Sequence, residues 1–381
     1  MIAAVVLVDT MFYAAISPLL PYYVHHLHIP KSEAGVLAAA YAAGTLIGSI
    51  PAGWLAARVG VRATMVSGLG LMVVSSLAFA FATSLGLLAG ARFVQGIGGA
   101  ASWAAGLAWL IDRAPDDRRG EVIGASLAAA IAGALLGPVL GTVATQTSPK
   151  LAFSVVAALG VGLLLWTFTE AAPPPSRDAG RRAFAPALRE RRVLMGMWLT
   201  TLAALLYSTL AVLAPLRLSH LGASNVTVGL SFVAGAAIAA LSSPVIGRLS
   251  DRRGWRRPIL AGLCACTVWV VLLALPRTVA LLFGLVVVAD GLFGLPYSPA
   301  GAMISDGAER VGLDQAYGFG LFNLAWAGGQ VIGGAGSAGL AQATADVVPY
   351  SLLAVLCALT VVAVATGARG DARTGDAPAA T

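Results

Sequence analysis

Charge is what this chain has least of. Asp, Glu, Lys and Arg together make 11% of its 381 residues, where a water-soluble domain carries about a quarter. A soluble α/β enzyme is excluded on that ground. Cysteine is scarce as well, and Cys264, Cys266 and Cys357 all lie inside apolar runs, where a free thiol behaves as a small hydrophobe; no disulfide framework and no redox compartment follow. No Gly-Lys-Ser/Thr phosphate loop occurs, which argues against ATP as an energy source. His25, His26 and His28 lack the Cys or paired carboxylate that would complete a metal site, and read as an outer interfacial loop. Met1 to Val24 has neither a basic leader nor a cleavage site and reads as an uncleaved first helix.

What the chain has in excess is apolar length. Hydrophobic residues make 58% and the mean hydropathy is +0.85. Apolar runs fall at about 1–24, 34–57, 63–83, 86–111, 121–146 and 151–169, and again at 193–219, 226–250, 258–275, 278–304, 315–342 and 346–367. Each is near the roughly 20 residues that cross a bilayer. The expected fold is all-α: a polytopic membrane protein of twelve transmembrane helices in two related six-helix bundles, 1–170 and 193–367. Residues 171–192, with Pro173-Pro174-Pro175 and six Arg, read as a cytoplasmic linker on an anionic lipid surface; 368–381 read as a disordered tail.

The net charge of +7 invites a nucleic-acid reading, but nearly every Arg sits in a short loop between apolar runs, so topology explains it better and no nucleic-acid partner is expected. Placing 58–62, 112–119, 171–192, 248–257, 305–314 and the tail in the cytoplasm collects 19 of the 24 Lys and Arg; the opposite side keeps Lys31, Lys150 and Arg277. Both termini are then cytoplasmic, and short loops with an Arg-, Ala- and Gly-rich composition suggest a prokaryotic cytoplasmic membrane.

The halves repeat. Gly53-Trp-Leu-Ala-Ala-Arg-Val-Gly-Val-Arg62 aligns with Gly247-Arg-Leu-Ser-Asp-Arg-Arg-Gly-Trp-Arg256 at a constant offset of 194. Such a repeat is the mark of a transporter built of two related units, with binding near the midplane between them. In the second copy Gly247 lets backbones close up, Gly254 can supply a turn with φ > 0, and Asp251 among Arg252, Arg253, Arg256 and Arg257 can hold an ion pair that a conformational change makes and breaks. This string resembles the Gly-x-Leu-x-Asp-Arg-x-Gly-Arg-Arg cytoplasmic loop of the major facilitator superfamily. In the first copy Ala57 stands where that family has its Asp.

Two further stretches narrow the resemblance. Arg92-Phe-Val-Gln-Gly-Ile-Gly-Gly-Ala100 is similar to the Arg-x-x-Gln-Gly-x-Gly run of the drug/proton antiporter branch; a buried Arg there must face protein or water, or else snorkel to headgroups. Gly133-Ala-Leu-Leu-Gly137-Pro138-Val-Leu-Gly141 resembles the signature Gly-x-x-x-Gly-Pro-x-x-Gly-Gly of exporters, with Thr142 at the last Gly. It reads either as simple close packing of helices or as an element that sets the bundle interface.

Intramembrane carboxylates mark ion or substrate paths by default. Asp9, Tyr13 and Ser17 share a stripe of the first helix; Asp290 lies before Pro296-Tyr297 in the tenth; Phe319, Asn323, Trp326 and Gln330 share a face of the eleventh. These segments resemble the vesicular amine transporter-like group, whose first- and tenth-helix Asp residues fall at Asp9 and Asp290. Asn323 replaces a third Asp of that group, and Tyr41 stands near its second-helix Lys. Trp103, Trp109 and Trp326 read as cation-stacking walls or as plain packing.

These resemblances imply a proton-coupled exporter of small amphipathic, cationic compounds working by alternating access. It would be a monomer with small-molecule substrate, protons and the lipid bilayer as partners, a proton gradient in place of any cofactor, and no enzymatic activity. Substrate contacts are expected from Asp9, Tyr13, Asp290, Tyr297, Asn323 and Trp326, proton coupling from Asp9, Asp290 and Arg92, and gating from Gly247, Asp251, Arg252, Gly254, Arg256, Gly137 and Pro138. A sugar or metabolite transporter of the same superfamily is the alternative; a membrane-embedded enzyme or a non-transporting receptor lies further off.

Overall fold

The computed structural model describes residues 1–113, 119–173, 184–253, 256–313 and 315–373, and among these residues no strand occurs. The helices are α1 (Ile2–Ala14), α2 (Ile16–Leu27), α3 (Lys31–Val59), α4 (Val61–Phe81), α5 (Leu85–Arg113), α6 (Arg119–Gln146), α7 (Pro149–Thr169), the short α8 (Phe184–Ala187), α9 (Arg191–His220), α10 (Asn225–Arg253), α11 (Arg256–Leu273), α12 (Val279–Phe293), α13 (Tyr297–Arg310), α14 (Gln315–Val331), a π-helical turn (Ile332–Gly336), α15 (Ser337–Ala343) and α16 (Val347–Arg373). Among the described residues, setting aside the four-residue α8 and joining α1 with α2, α12 with α13, and α14 with α15 through the π-turn gives twelve rods.

Among the described residues eight helices are long and apolar enough to cross a membrane, and Ile259–Leu273 and Val279–Phe293 are shorter apolar ones. Their outer faces suit that environment: Leu241, Ile50, Val74 and Leu165 stand 77%, 64%, 63% and 61% exposed, a belt of bare aliphatic surface suited to lipid.

Apolar packing divides along the chain. One core gathers residues of α1 to α7, with Val212 of α9 and Ala338 of α15 joining it from the other half, and in it Phe12, Phe79 and Phe153 meet with ring centroids 4.8–5.9 Å apart; each such pair adds roughly 0.5–1.5 kcal/mol beyond its buried area. A second core gathers residues of α9 to α16. The offset of 194 runs through both: α5 begins at Leu85 and α12 at Val279.

The repeat also explains its own terminal arginine. Arg62 donates to the carbonyl of Glu170, and Arg256 donates to those of Val364 and, at 2.8 Å, Ala365. Glu170 and Val364 are themselves 194 apart. In each half the last Arg of the motif therefore grips the C-terminal half of the sixth rod of its own bundle; at Glu170, just past α7, that sets a cation against a helix end. Between α3 and α4 the chain turns at Gly60, with φ 103°, a conformation a Cβ would oppose. Its counterpart Gly254 lies outside the described residues. Gly247, Asp251 and Arg252 fall in the last turns of α10, which runs to Arg253 and so shortens the loop expected at 248–257.

Glycines set the closest crossings. A Cβ on Gly44 would strike the Phe93 carbonyl and one on Gly96 the Tyr41 carbonyl, so α3 and α5 touch backbone to backbone. The stripe Gly133, Gly137, Gly141 packs on Leu7, Met11, Ala14 and Ala15. It joins α6 to the first rod of the same bundle, which corrects the expectation that Gly137-Pro138 forms the bundle interface. Thr142, the departure from the glycine signature, is the residue that reaches across, seated on Gly229 of α10.

Candidate functional site

Among the described residues the polar contacts between the bundles fall on one face. There Lys31 pairs with Asp346, the Ser32 amide donates to Gln342 Oε1 at 2.7 Å, and His25 Nε2 lies 3.3 Å from Ser219 Oγ. A turn further in, Gly35 abuts the Gly334 carbonyl and Ala338, bringing the π-turn against α3. On the opposite face the described ion pairs Arg113–Glu170 (3.1 Å) and Arg192–Asp306 (3.8 Å) each stay inside one bundle. Among the described residues, then, side-chain polar contacts join the bundles on the Lys31 face.

Below that closure lies the first carboxylate. Asp9 is 1% exposed; its Oδ2 accepts from Tyr41 Oη at 2.8 Å and from Trp103 Nε1 at 3.2 Å, while Oδ1 is buried without a hydrogen-bond partner. The tight α3–α5 crossing is what brings Tyr41 there. Gly99 leaves the room, because a Cβ on it would stand 2.5 Å from Tyr41 Oη and 3.0 Å from Asp9 Oδ1.

Arg92 is equally buried, at 1%, and does not snorkel. α1 stops at Ala14, and Arg92 takes up carbonyls in the last turn of that helix: Nη1 donates to the Phe12 carbonyl (3.1 Å) and Gln95 Oε1 (3.0 Å), Nη2 to the Tyr13 carbonyl (3.1 Å). The guanidinium also lies 5.3 Å from the Tyr41 ring centroid. Among the described residues no hydrogen bond or ion pair joins it to Asp9, so its described bonds hold the helix break that shapes the site.

Asp290 sits near a second break, four residues before the gap between α12 and α13. Pro296 offers no N–H to Leu292, whose carbonyl accepts from the Leu295 N–H at 3.1 Å and from Cys266 Sγ at 3.6 Å. The carbonyl of Asp290 itself accepts from Tyr207 Oη at 2.5 Å. Its side chain is half-buried and lies against Gly235 of α10, where a Cβ would come within 2.6 Å of Asp290 Cβ.

Aromatic rings connect the two acids. Trp103 stacks on Phe319 (5.9 Å, 19°), Phe319 on Phe322 (5.9 Å, 21°), Phe322 meets Tyr297 (6.0 Å), and Tyr297 stacks on Tyr207 (5.8 Å, 15°). Tyr13 closes a second side, 4.9 Å from Tyr41 and 5.4 Å from Trp326. Of the residues expected from sequence, Asp9, Tyr13 and Arg92 gather on the first bundle, Trp326 of α14 meets Tyr13 across from them, and Tyr297 joins the run from α13, with Asp290 in the last turn of α12. Asn323 is half-buried on α14, one turn on from Phe319. Gly137 and Pro138 lie behind the first rod, and Gly247, Asp251, Arg252 and Arg256 lie at the far end of α10 and the start of α11.

Tyr207, Tyr41 and Phe322 were not expected as lining residues. The repeat held the signal for one of them, since the offset of 194 carries Tyr13 onto Tyr207 just as it carries Trp103 onto Tyr297.

The sequence profile of the Major Facilitator Superfamily matches residues 2–334 and 211–379. The chain belongs to that family. Among similar proteins are the "MFS-type transporter ppzB" of Metarhizium majus, 36% identical over 126 residues, and the "Uncharacterized MFS-type transporter YcaD" of Escherichia fergusonii, 25% identical over 253 residues. The first alignment covers 32% of this chain and 27% of the fungal protein, the second 64% of each. A bacterial homologue of the human lysosomal transporter Spinster, solved inward-facing and unoccupied, superposes with a TM-score of 0.75 at 16% identity, covering 96% of this chain and 94% of that one. A POT family transporter in complex with 5-aminolevulinic acid gives 0.73 at 15% identity, with 96% and 94% covered. At such identities the likeness concerns the fold. Members of this superfamily are multi-pass membrane transporters, and the chain spans less than two thirds of the length of these curated relatives.

Proposed function

We propose that this protein is a proton-coupled antiporter that exports small amphipathic cations, of the drug/proton branch and related to the vesicular amine transporter-like group. One observation supports the reading: two intramembrane carboxylate residues, one on each bundle, stand at the two ends of a run of aromatic rings, Trp103 donating to Asp9 at one end and Tyr207 to the Asp290 backbone at the other. Carboxylates offer a cation its charge partner, ring faces offer it cation–π contact, and two sites for positive charge in one chamber let a proton and a cation displace each other.

In the orientation that puts the basic loops in the cytoplasm, the closed Lys31 face is the outer one and the chamber opens inward, ready to load cytoplasmic cargo. The units 1–170 and 193–367 would then rock about the chamber, with the proton gradient as energy source and a monomer as the working unit. The test is transport in proteoliposomes with a panel of lipophilic cations, sugars and amino acids, with and without an imposed pH gradient. Accumulation of cations alone, and only with the gradient, is the expected result. Gradient-independent uptake of a sugar or amino acid would replace it with the metabolite reading.

A further inference from the structure

The two carboxylates have unlike surroundings. Asp9 is enclosed: Tyr41 (α3) and Trp103 (α5) donate to Oδ2, the Gly99 backbone lies against the carboxyl group, and Tyr13 and Arg92 occupy the neighbouring positions. Its buried Oδ1 has no partner. That leaves one acceptor position, large enough for a proton and too small for an organic cation unless Tyr41 and Trp103 are pulled away.

Asp290 is placed the other way. It is half-buried, and among the described residues no hydrogen bond reaches its carboxylate. From α9, Tyr207 spends its hydroxyl on the Asp290 backbone; from α11, Cys266 spends its thiol on Leu292; from α10 the facing residue is Gly235, which brings no charge; from α13 comes the ring of Tyr297. The residue that carries this carboxylate is bonded through its backbone to Tyr207, whose ring stacks on Tyr297, so a charge partner for a cation sits on a residue held to a flat aromatic wall.

We propose a division of labour in which Asp9 carries the coupled proton without touching the cargo, while Asp290 takes the cationic centre of the substrate against the Tyr207–Tyr297 wall. This rests on the cation-antiport reading above. The Asp9 carboxylate gains a proton on one side of the membrane and returns it on the other, and no bond in the substrate changes. Protons also compete for Asp290, so cargo binding weakens as the pH falls.

The full-length chain in proteoliposomes, with ethidium and tetraphenylphosphonium as probes, tests both levels. Equilibrium binding, gradient-free counterflow and gradient-driven accumulation are measured for the wild type, Asp9→Asn, Asp290→Asn and Asp290→Glu. Asp9→Asn is expected to bind within about threefold of wild type and to sustain counterflow, yet to accumulate nothing. Asp290→Asn should lose about tenfold or more in affinity along with the pH dependence of binding, and Asp290→Glu should recover most of both. Recovery by Glu separates a lost charge from a misfolded variant. Intact binding in Asp290→Asn, or loss of binding in Asp9→Asn equal to or greater than that in Asp290→Asn, overturns the division while leaving cation antiport standing. A wild type that moves neither probe overturns the functional reading and the division with it.

Discussion

At the scale of single residues, the site depends on what is missing as much as on what is present. Gly99 has no side chain, and that absence is filled by the Tyr41 hydroxyl and the Asp9 carboxylate. Gly99→Ala should push both aside at a cost of about 1–3 kcal/mol, typical of overpacking. Thermal unfolding of the purified variant would register the loss, and gradient-driven transport should fall with it. Arg92 satisfies three acceptors, two of them carbonyls at the end of α1. Lysine keeps the charge but not the planar fork; Arg92→Lys should cost about 1.5–3 kcal/mol for each charged hydrogen bond it fails to remake. Unchanged stability in Arg92→Lys would mean these bonds contribute nothing net.

Among elements, the sequence showed more of the architecture than of the contacts. Twelve apolar runs, the repeat and the intramembrane Asp residues could all be read from it, because membrane spans announce themselves by length and a charge in lipid is costly, roughly 2.5–3.5 kcal/mol at a helix centre. Which helix faces which could not. A rod apolar on all sides has no stripe to point inward, so Gly133, Gly137 and Gly141 gave a packing face without naming the partner. The structure supplies α1 and α2. The role of Arg256 was hidden for a related reason: its partners are backbone carbonyls some 108 residues away, which leave no mark in side-chain spacing.

The packing of α6 leads to two expectations. Gly137→Leu should abolish transport while leaving membrane insertion intact, since the added side chain meets Ala14 Cβ and the Met11 carbonyl at 2.5 and 2.8 Å even at its first atom; normal export by that variant would remove any role for the close approach. At the far end of α10, Asp251→Asn should slow turnover more than it weakens binding, which a comparison of counterflow rates with equilibrium affinities would decide. Collapsed affinity at unchanged turnover would put Asp251 in the binding site instead.

For the whole molecule, the bundles are held shut on one face by few polar contacts. The Lys31–Asp346 pair is partly exposed, its side chains 31% and 23% accessible, so its net worth is about 0–1 kcal/mol. A latch that weak suits a transporter, because a strong one would trap a single state of the cycle. Asp346→Asn should therefore move the population towards the open Lys31 face by no more than about fivefold, read as faster thiol labelling of a cysteine placed at Ala39, which packs against Gly334 in the closed state. Unaltered labelling would show that the apolar contact of Gly35 with Ala338 closes this face unaided.

The bond between the Ser32 amide and Gln342 has a consequence of another kind. No side chain of its own caps the start of α3, so one of the four N–H groups that every helix leaves open at its beginning is satisfied here by the other half of the molecule. When the halves part on this face, that amide must turn to water. Its hydrogen should then exchange with deuterium at a rate set by how often the two halves separate, which makes one backbone proton a clock for the transport cycle, readable without a label and without knowing the cargo.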